Sequence, residues 1–268
     1  MSKIKEFLGS FKNVFAAAVI PVALIISIII FKLVMGAPSN FQGSDPANSP
    51  IPGNYFGTVY KGGFIVPILM CLLITVITFS IERWITIRKA SGKANVLKFV
   101  RSIKNLLNRH QIDDAVEACE HQKGSVASVV RSALIKYQNL EPDNTLTKEQ
   151  KLLAIQKDVE EATSLELPSM EQNLVILATI TSVATLMGLL GTVLGMIRSF
   201  AAMANAGAPD SVELATGISE ALINTAFGIG TAALAVIMYN FFTNKIDKII
   251  YSIDEAGFTI VQTYAANH

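Results

Sequence analysis

The residue with the most evident chemical potential is Glu220, inside the apolar run Glu220-Ala-Leu-Ile-Asn-Thr-Ala-Phe-Gly228. An ionised carboxylate in a membrane helix costs at least ~2.5 kcal/mol on insertion scales for Asp, so such groups face a bundle interior or a water-filled cavity. Asn224 follows one helical turn later, within hydrogen-bonding reach, and Thr225 extends the polar strip. That is what an ion or proton path requires. A second reading stands beside it, a structural glutamate hydrated at the outer membrane surface. An earlier apolar run, Leu186-Met-Gly-Leu-Leu-Gly-Thr-Val-Leu-Gly-Met196, carries Thr192 among glycines. Gly191 and Gly195 form a GxxxG pair, with Gly188 and Thr192 stacked beside them at i, i+4. In the later run, Ala221, Thr225, Ile229 and Ala233 share a face, with Gly228 and Ala232 next to it. Close helix association in lipid relies on such small residues. Each threonine has a plainer reading too, a bond to its own i−4 carbonyl. Arg198, at the end of the glycine-rich run, reads as a side chain that snorkels to headgroups.

A single carboxylate near one membrane surface cannot relay protons across the bilayer, and no second acid lies deep in an apolar run. A complete relay needs another chain. Cys71 and Cys119 lie in unlike contexts, and His110, His121 and His268 form no cluster, so neither a disulfide framework, a metal site nor a cofactor is expected. There is no nucleophile elbow, P-loop or paired catalytic carboxylate, which argues against an enzyme. A net charge of +1 gives no electrostatic case for nucleic acid.

The elements that must carry these residues are membrane helices. The chain is 51% hydrophobic and only 16% charged, where soluble domains have about 25% charged residues. Val14–Phe31, Phe64–Ile81, Leu174–Ile197 and Leu214–Phe242 each approach the roughly 20 apolar residues that span a bilayer. The first reads as a retained anchor, since its apolar run is long for a signal peptide. Residues 1–12 hold three lysines and segment 83–171 fourteen Lys or Arg, whereas 33–63 and 199–213 hold only Lys61. Both termini and the central segment are therefore expected in the cytoplasm. Domains follow as 1–36 (tail and first span), 37–63 (a Pro- and Gly-rich periplasmic linker), 64–82 (second span) and 83–171 (cytoplasmic helical domain). Then come 172–202 (third span), 203–212 (periplasmic loop), 213–243 (fourth span) and 244–268 (cytoplasmic C-terminal helix).

Within 83–171 the pattern is helical. Val96, Val100, Ile103 and Leu107 form one stripe, and Val126, Val129, Val130, Ala133, Leu134 and Tyr137 another. Thr147-Lys-Glu-Gln150 reads as a capping box opening a helix with Leu152, Ile155, Val159 and Ala162 on one side, and Pro168 marks a kink or boundary. Ile246, Ile249, Ile250 and Ile253 continue a stripe beyond the fourth span. Glu82-Arg83-Trp84 reads as an interfacial anchor, and the basic face of Lys98–Arg109 as a solvated surface.

The run Leu177-Ala-Thr-Ile-Thr-Ser182, then Met187-Gly-Leu-Leu-Gly-Thr-Val-Leu-Gly-Met-Ile197 and Gly217-Ile-Ser-Glu-Ala-Leu-Ile-Asn-Thr-Ala-Phe-Gly228, resembles the MotA/TolQ/ExbB proton-channel family, ExbB most closely. The resemblance covers roughly 64–265, so the first span is an addition to the usual three. It implies an all-α membrane protein whose last two spans extend as long helices into a cytoplasmic helical domain. It further implies a homo-oligomer, a pentamer, in the bacterial inner membrane. That ring surrounds an ExbD-like single-span partner carrying the titrating aspartate, and acts on a TonB-like protein; a TolQ-like motor for envelope maintenance and a non-conducting membrane scaffold, in which the glycines only pack helices, stand as alternatives. By the same resemblance Thr192 and Thr225 match the pore threonines and Glu220 the pore glutamate. Two departures stand out. Thr185 follows Ala184 where the family commonly has proline, and Asn224 replaces an often small apolar residue.

Overall fold

The structure is a computed structural model that describes residues 17–142, 145–205 and 211–267. The expected N-terminal tail, the start of the first span at Val14 and residues 206–210 of the 203–212 connection lie outside the described residues. Besides two short 3-10 turns at Pro38–Asn40 and Gln42–Ser44, the described residues form α1 (Ala17–Met35), α2 (Tyr55–Tyr60), α3 (Ile65–Ser91), α4 (Val96–Leu107), α5 (Ile112–Gln122), α6 (Gly124–Leu140), α7 (Lys148–Glu171), α8 (Leu174–Asn205) and α9 (Ser211–Asn267). Four of these, α1, α3, α8 and α9, are long and apolar enough to cross a membrane. The protein is an all-α membrane protein. At 27, 32 and 57 residues, helices α3, α8 and α9 reach about 40, 48 and 85 Å at ~1.5 Å per residue. All exceed the ~30 Å hydrocarbon core.

The chain divides into two compact units, Met1–Ser80 with Val175–Tyr239, and Ile81–Leu174 with Asn240–His268. In the first unit α1 buries Val19, Ala23 and Ser27, one residue per turn, and Ile20 accepts a hydrogen bond from the Cys71 thiol of α3. The last turn of α1 widens into a π-helix over Ile30–Met35, and Phe31 stacks on Tyr60 at 4.7 Å. Met35 then packs on Val66 and Met70.

Segment 37–63, expected to be a linker, is instead a folded cap. Buried Asn40 donates to the carbonyls of Val34 (2.7 Å) and Met35 (2.9 Å), which the end of α1 leaves free, and accepts from Asn54 (3.0 Å). Asn54 in turn caps the N-terminus of α2 through Gly57 N–H. Phe41 is buried against the edge of Tyr60, and Lys61 donates to Pro46 and Ala47 carbonyls. Burial lowers the Lys61 pKa, with Asp45 opposing. Side-chain caps and one aromatic cluster hold this segment, and neither leaves a periodic signature.

The second unit is a helical bundle with an ordinary apolar core. The predicted α6 stripe is buried, as are Ile155 and Val159 of α7, and Ile246, Ile249, Ile253, Ile260 and Tyr264 of α9. The Thr147–Gln150 capping box forms in full. Pro168 lies inside α7, and the helical path breaks later, at Gln172 and Asn173, where Asn173 has φ +68°. Arg83, expected at the membrane interface, is instead fully buried. Its guanidinium pairs bidentately with Glu82 and donates to the Met170 carbonyl at 3.1 Å, one of the carbonyls that the end of α7 leaves unbonded. A cation at a helix C-terminus is also favoured by the helix dipole.

The α3–α4 and α5–α6 turns lock onto each other. Gln122, buried, donates to the carbonyls of Ser91 (3.0 Å) and Ala94 (2.9 Å) and accepts from Ala94 N–H (3.1 Å). Gly92 has φ +83°, and a Cβ there would lie 2.4 Å from the Lys123 carbonyl, so only glycine fits.

Two outcomes follow. Replacing Gln122 with Ala removes three hydrogen bonds, each worth about 1 kcal/mol. It should lower the unfolding free energy of the purified protein by roughly 3 kcal/mol, read from denaturant melts. Burial pushes the Cys119 thiol up to about 12, far above the ordinary value of about 8.5. Cys119 should therefore resist maleimide equally at pH 7 and pH 9 and react only on unfolding; labelling that rises across that range would contradict its burial.

Candidate functional site

The site lies in the first unit, along the seam where α8 meets α9. A Cβ on Gly188 would lie 3.2 Å from the Gly228 Cα, one on Gly191 2.4 Å from the Asn224 Cβ, and one on Gly195 2.8 Å from the Gly217 carbonyl. From the other side, a Cβ on Gly228 would lie 2.6 Å from the Ala184 carbonyl and one on Gly217 2.1 Å from the Ser199 hydroxyl. Gly188, Gly191, Gly195, Gly217 and Gly228 thus line one antiparallel seam, Gly191 against the Asn224 side chain and the other four close to opposing backbone atoms. Gly217 was not among the expected packing positions, although its four-residue spacing from Ala221 was legible.

This approach joins the two threonines. The Thr192 and Thr225 hydroxyls hydrogen-bond to each other across the seam, and both reach the Gly188 carbonyl, at 3.2 and 3.4 Å. Thr192 thereby makes the local i−4 bond of the plainer reading, whereas Thr225 bonds to the neighbouring helix instead. Both side chains are half-buried. On α8, Thr181 and Thr185 precede Thr192 on the same side, each bonded to its i−4 carbonyl, and the helix runs unbroken through Thr185. The pair can donate to, or accept from, a polar group that approaches it.

Nearer the other end of the seam, Arg198 pairs with Glu220, its guanidinium 2.7 and 3.0 Å from the two carboxylate oxygens. Arg198 does not simply snorkel: it is the partner of the site's carboxylate. The Glu220 side chain is 8% exposed and that of Arg198 53%. Six residues separate Thr192 from Arg198, so the ion pair and the hydroxyl pair lie about 9 Å apart along α8.

Asn224, expected to bond Glu220, instead donates to the Gly62 carbonyl at 2.9 Å. Its Oδ1 is buried with no hydrogen-bond partner among the described residues. Such an acceptor is costly unless a donor reaches it. The turn before α3 covers this end of the site. Gly63 has φ +76°, and a Cβ there would lie 2.3 Å from Glu220 Oε1 and 3.3 Å from Arg198 Nη1. Phe64 follows, with the Arg198 guanidinium 5.8 Å from its ring centre. Sequence reasoning missed Gly62, Gly63 and the Arg198 pairing. The glycine doublet immediately before the second span was the available signal. Among the described residues no group of three or more His, Cys, Asp or Glu is arranged to hold a metal.

The model of the "MotA/TolQ/ExbB proton channel family" matches residues 122–255, half of the chain and the whole of the α8–α9 seam. The Tol-Pal system protein TolQ of Haemophilus influenzae is 26% identical over 201 residues, covering 73% of this chain and 87% of that protein. A putative biopolymer transport protein ExbB homolog of Methanothermobacter thermautotrophicus is 27% identical over 207 residues, covering 75% and 68%. The biopolymer transport protein ExbB of Salmonella typhimurium is 41% identical over 70 residues, 26% of this chain and 29% of that protein. With its glycine seam and paired threonines inside the matched region, the chain belongs to the MotA/TolQ/ExbB proton channel family.

Proposed function

We propose that this chain is the wall subunit of an ExbB-like proton-driven motor in the bacterial inner membrane, with both termini in the cytoplasm. Copies of the chain, five by family analogy, surround the single transmembrane helix or helices of an ExbD-like partner, whose intramembrane aspartate takes up and releases the proton. The observation that carries this reading is the meeting of the Thr192 and Thr225 hydroxyls over the Gly188 carbonyl.

Hydroxyls are both donors and acceptors, so one pair serves a partner carboxylate in either charge state. It accepts from the carboxylic acid through an oxygen lone pair, and it donates to the carboxylate when a hydroxyl turns away from the Gly188 carbonyl. The wall need not titrate for this. A proton falling through the membrane potential releases about 2.3 kcal/mol per 100 mV. Loss or gain of charge on the partner changes its favoured position in the ring, and the resulting movement drives a TonB-like protein that energises outer-membrane transport. Glu220, held by Arg198 and capped by Gly63, forms the outer polar end of the path, and the unpartnered Oδ1 of Asn224 offers an acceptor between that end and the threonines. A TolQ-type role in envelope maintenance uses the same wall, and the 87% coverage of the Haemophilus influenzae TolQ favours keeping it as the second reading.

Thr225→Val is nearly isosteric and removes the inter-helix hydroxyl contact. Expressed with its partner, it should still assemble, as counted by native mass spectrometry, yet lose energised uptake; normal uptake would sink the assignment. The outer end separates two effects. Arg198→Gln leaves the buried Glu220 carboxylate without its cation and should cost roughly 3–5 kcal/mol. Gly63→Ala meets both a left-handed backbone, worth roughly 1–2 kcal/mol, and the Glu220 carboxylate. Its melting temperature in detergent should fall clearly; an unchanged melting temperature would contradict the capping role of Gly63.

A further inference from the structure

We infer that the second unit carries a binding site for the headgroup of an anionic phospholipid, built from Trp84, Arg88 and Lys245. A cavity of about 240 Å³ is lined by Trp84, Ile87, Arg88, Phe241, Phe242 and Lys245. A neighbouring cavity of about 540 Å³ shares Trp84 and Arg88 and adds Lys89, Lys93 and Lys123. Those five cations are all exposed, no acidic side chain lines either cavity, and none of the five takes part in a salt bridge among the described residues.

The site is held in place by its surroundings. Trp84 stacks on Phe241 with nearly parallel rings 5.7 Å apart. The Lys245 ammonium sits 5.7 Å from the Trp84 ring centre and 5.5 Å from that of Phe241. Lys89, Lys93 and Lys123 project from the two turns that Gln122 ties together, so their backbones are fixed relative to Arg88.

The chemistry of this place is amphiphilic. α3 leaves its apolar run at Ile81 and α9 leaves its own at Phe242, so tryptophan and cations stand where a bilayer's headgroups begin. Ile81, Ile85 and Phe241 are exposed beside them, an apolar surface that an acyl chain would cover. A guanidinium presents a fork that fits two phosphate oxygens, and the ammonium groups add point charges. A soluble anion would use the cations and leave the aromatic and aliphatic surface bare, which selects the lipid. The assignment to the cytoplasmic leaflet rests on the orientation proposed above. Lipid binding itself needs neither the partner nor proton flow.

The test uses the full chain in nanodiscs of mixed phosphatidylglycerol and phosphatidylcholine, with retained lipid counted by native mass spectrometry. The wild type should favour phosphatidylglycerol by about tenfold, the order expected when one or two cations engage an anionic headgroup. The double variant Arg88→Gln, Lys245→Gln should fall to parity, while Lys98→Gln, Lys104→Gln on α4 should not change the preference. An unchanged preference in the first variant, or an equal loss in both, would overturn the site. On the wild type alone, short-chain phosphatidylglycerol should raise the melting temperature and glycerol phosphate at equal concentration should not; an equal shift would mean a soluble-anion site. Labelling of a Lys123→Cys variant in spheroplasts tests the orientation separately.

Discussion

Backbone contact between α8 and α9 is the constraint on which the site depends. In lipid no hydrophobic gain draws two apolar helices together, so contact must come from close packing and from polar bonds across the interface. Each glycine of the seam stands where a Cβ would crowd the opposite helix, at 2.1–3.1 Å from its nearest atom. That register has two further consequences at once. It brings the Thr192 and Thr225 hydroxyls together, and about 9 Å away it sets Arg198 against Glu220. A wider helix separation would leave both threonines to their own carbonyls and Glu220 without its cation.

The polar groups in this seam are paired with one another or with the backbone. Thr181, Thr185 and Thr192 return their protons to backbone carbonyls, and Glu220 is neutralised by Arg198 beneath the Gly63 turn. The exception is Asn224, whose amide nitrogen is used and whose oxygen is not. A wall so built presents acceptors held in place by the backbone, and hydroxyls that donate outward only by turning from a carbonyl. In a site of low dielectric, fixed dipoles stabilise a charge strongly because they need no reorganisation. This suits a family named for proton channels.

The second unit obeys different physics. Its core is an ordinary apolar bundle, and it is organised at its turns by buried polar side chains, Gln122 between two turns and the Glu82–Arg83 pair at the end of α7. Each satisfies backbone groups that a helix end or a tight turn leaves open, which is the condition for burying such polar side chains at all. Removing either partner would leave carbonyls unbonded inside the bundle.

The sequence by itself determined the membrane class, the four apolar helices, the helical stripes of the bundle, the Thr147 capping box and the family, because each is written in local composition, period or motif. It also singled out Thr192, Glu220, Asn224, Thr225 and the glycines at Gly188, Gly191, Gly195 and Gly228, since small and polar residues in an apolar helix stand out against their neighbours. Which of them touch was decided only by the tertiary structure. Asn224 chose the Gly62 carbonyl over Glu220, Arg198 chose Glu220 over the headgroups, and Arg83 went inward to α7. Segment 37–63 became a cap because Asn40 joined the end of α1 to Asn54 and Tyr60 stacked on Phe31 of α1. Hydrogen-bond pairing depends on which atoms arrive within about 3 Å of each other, and residue spacing along one helix carries no information on what the next helix brings.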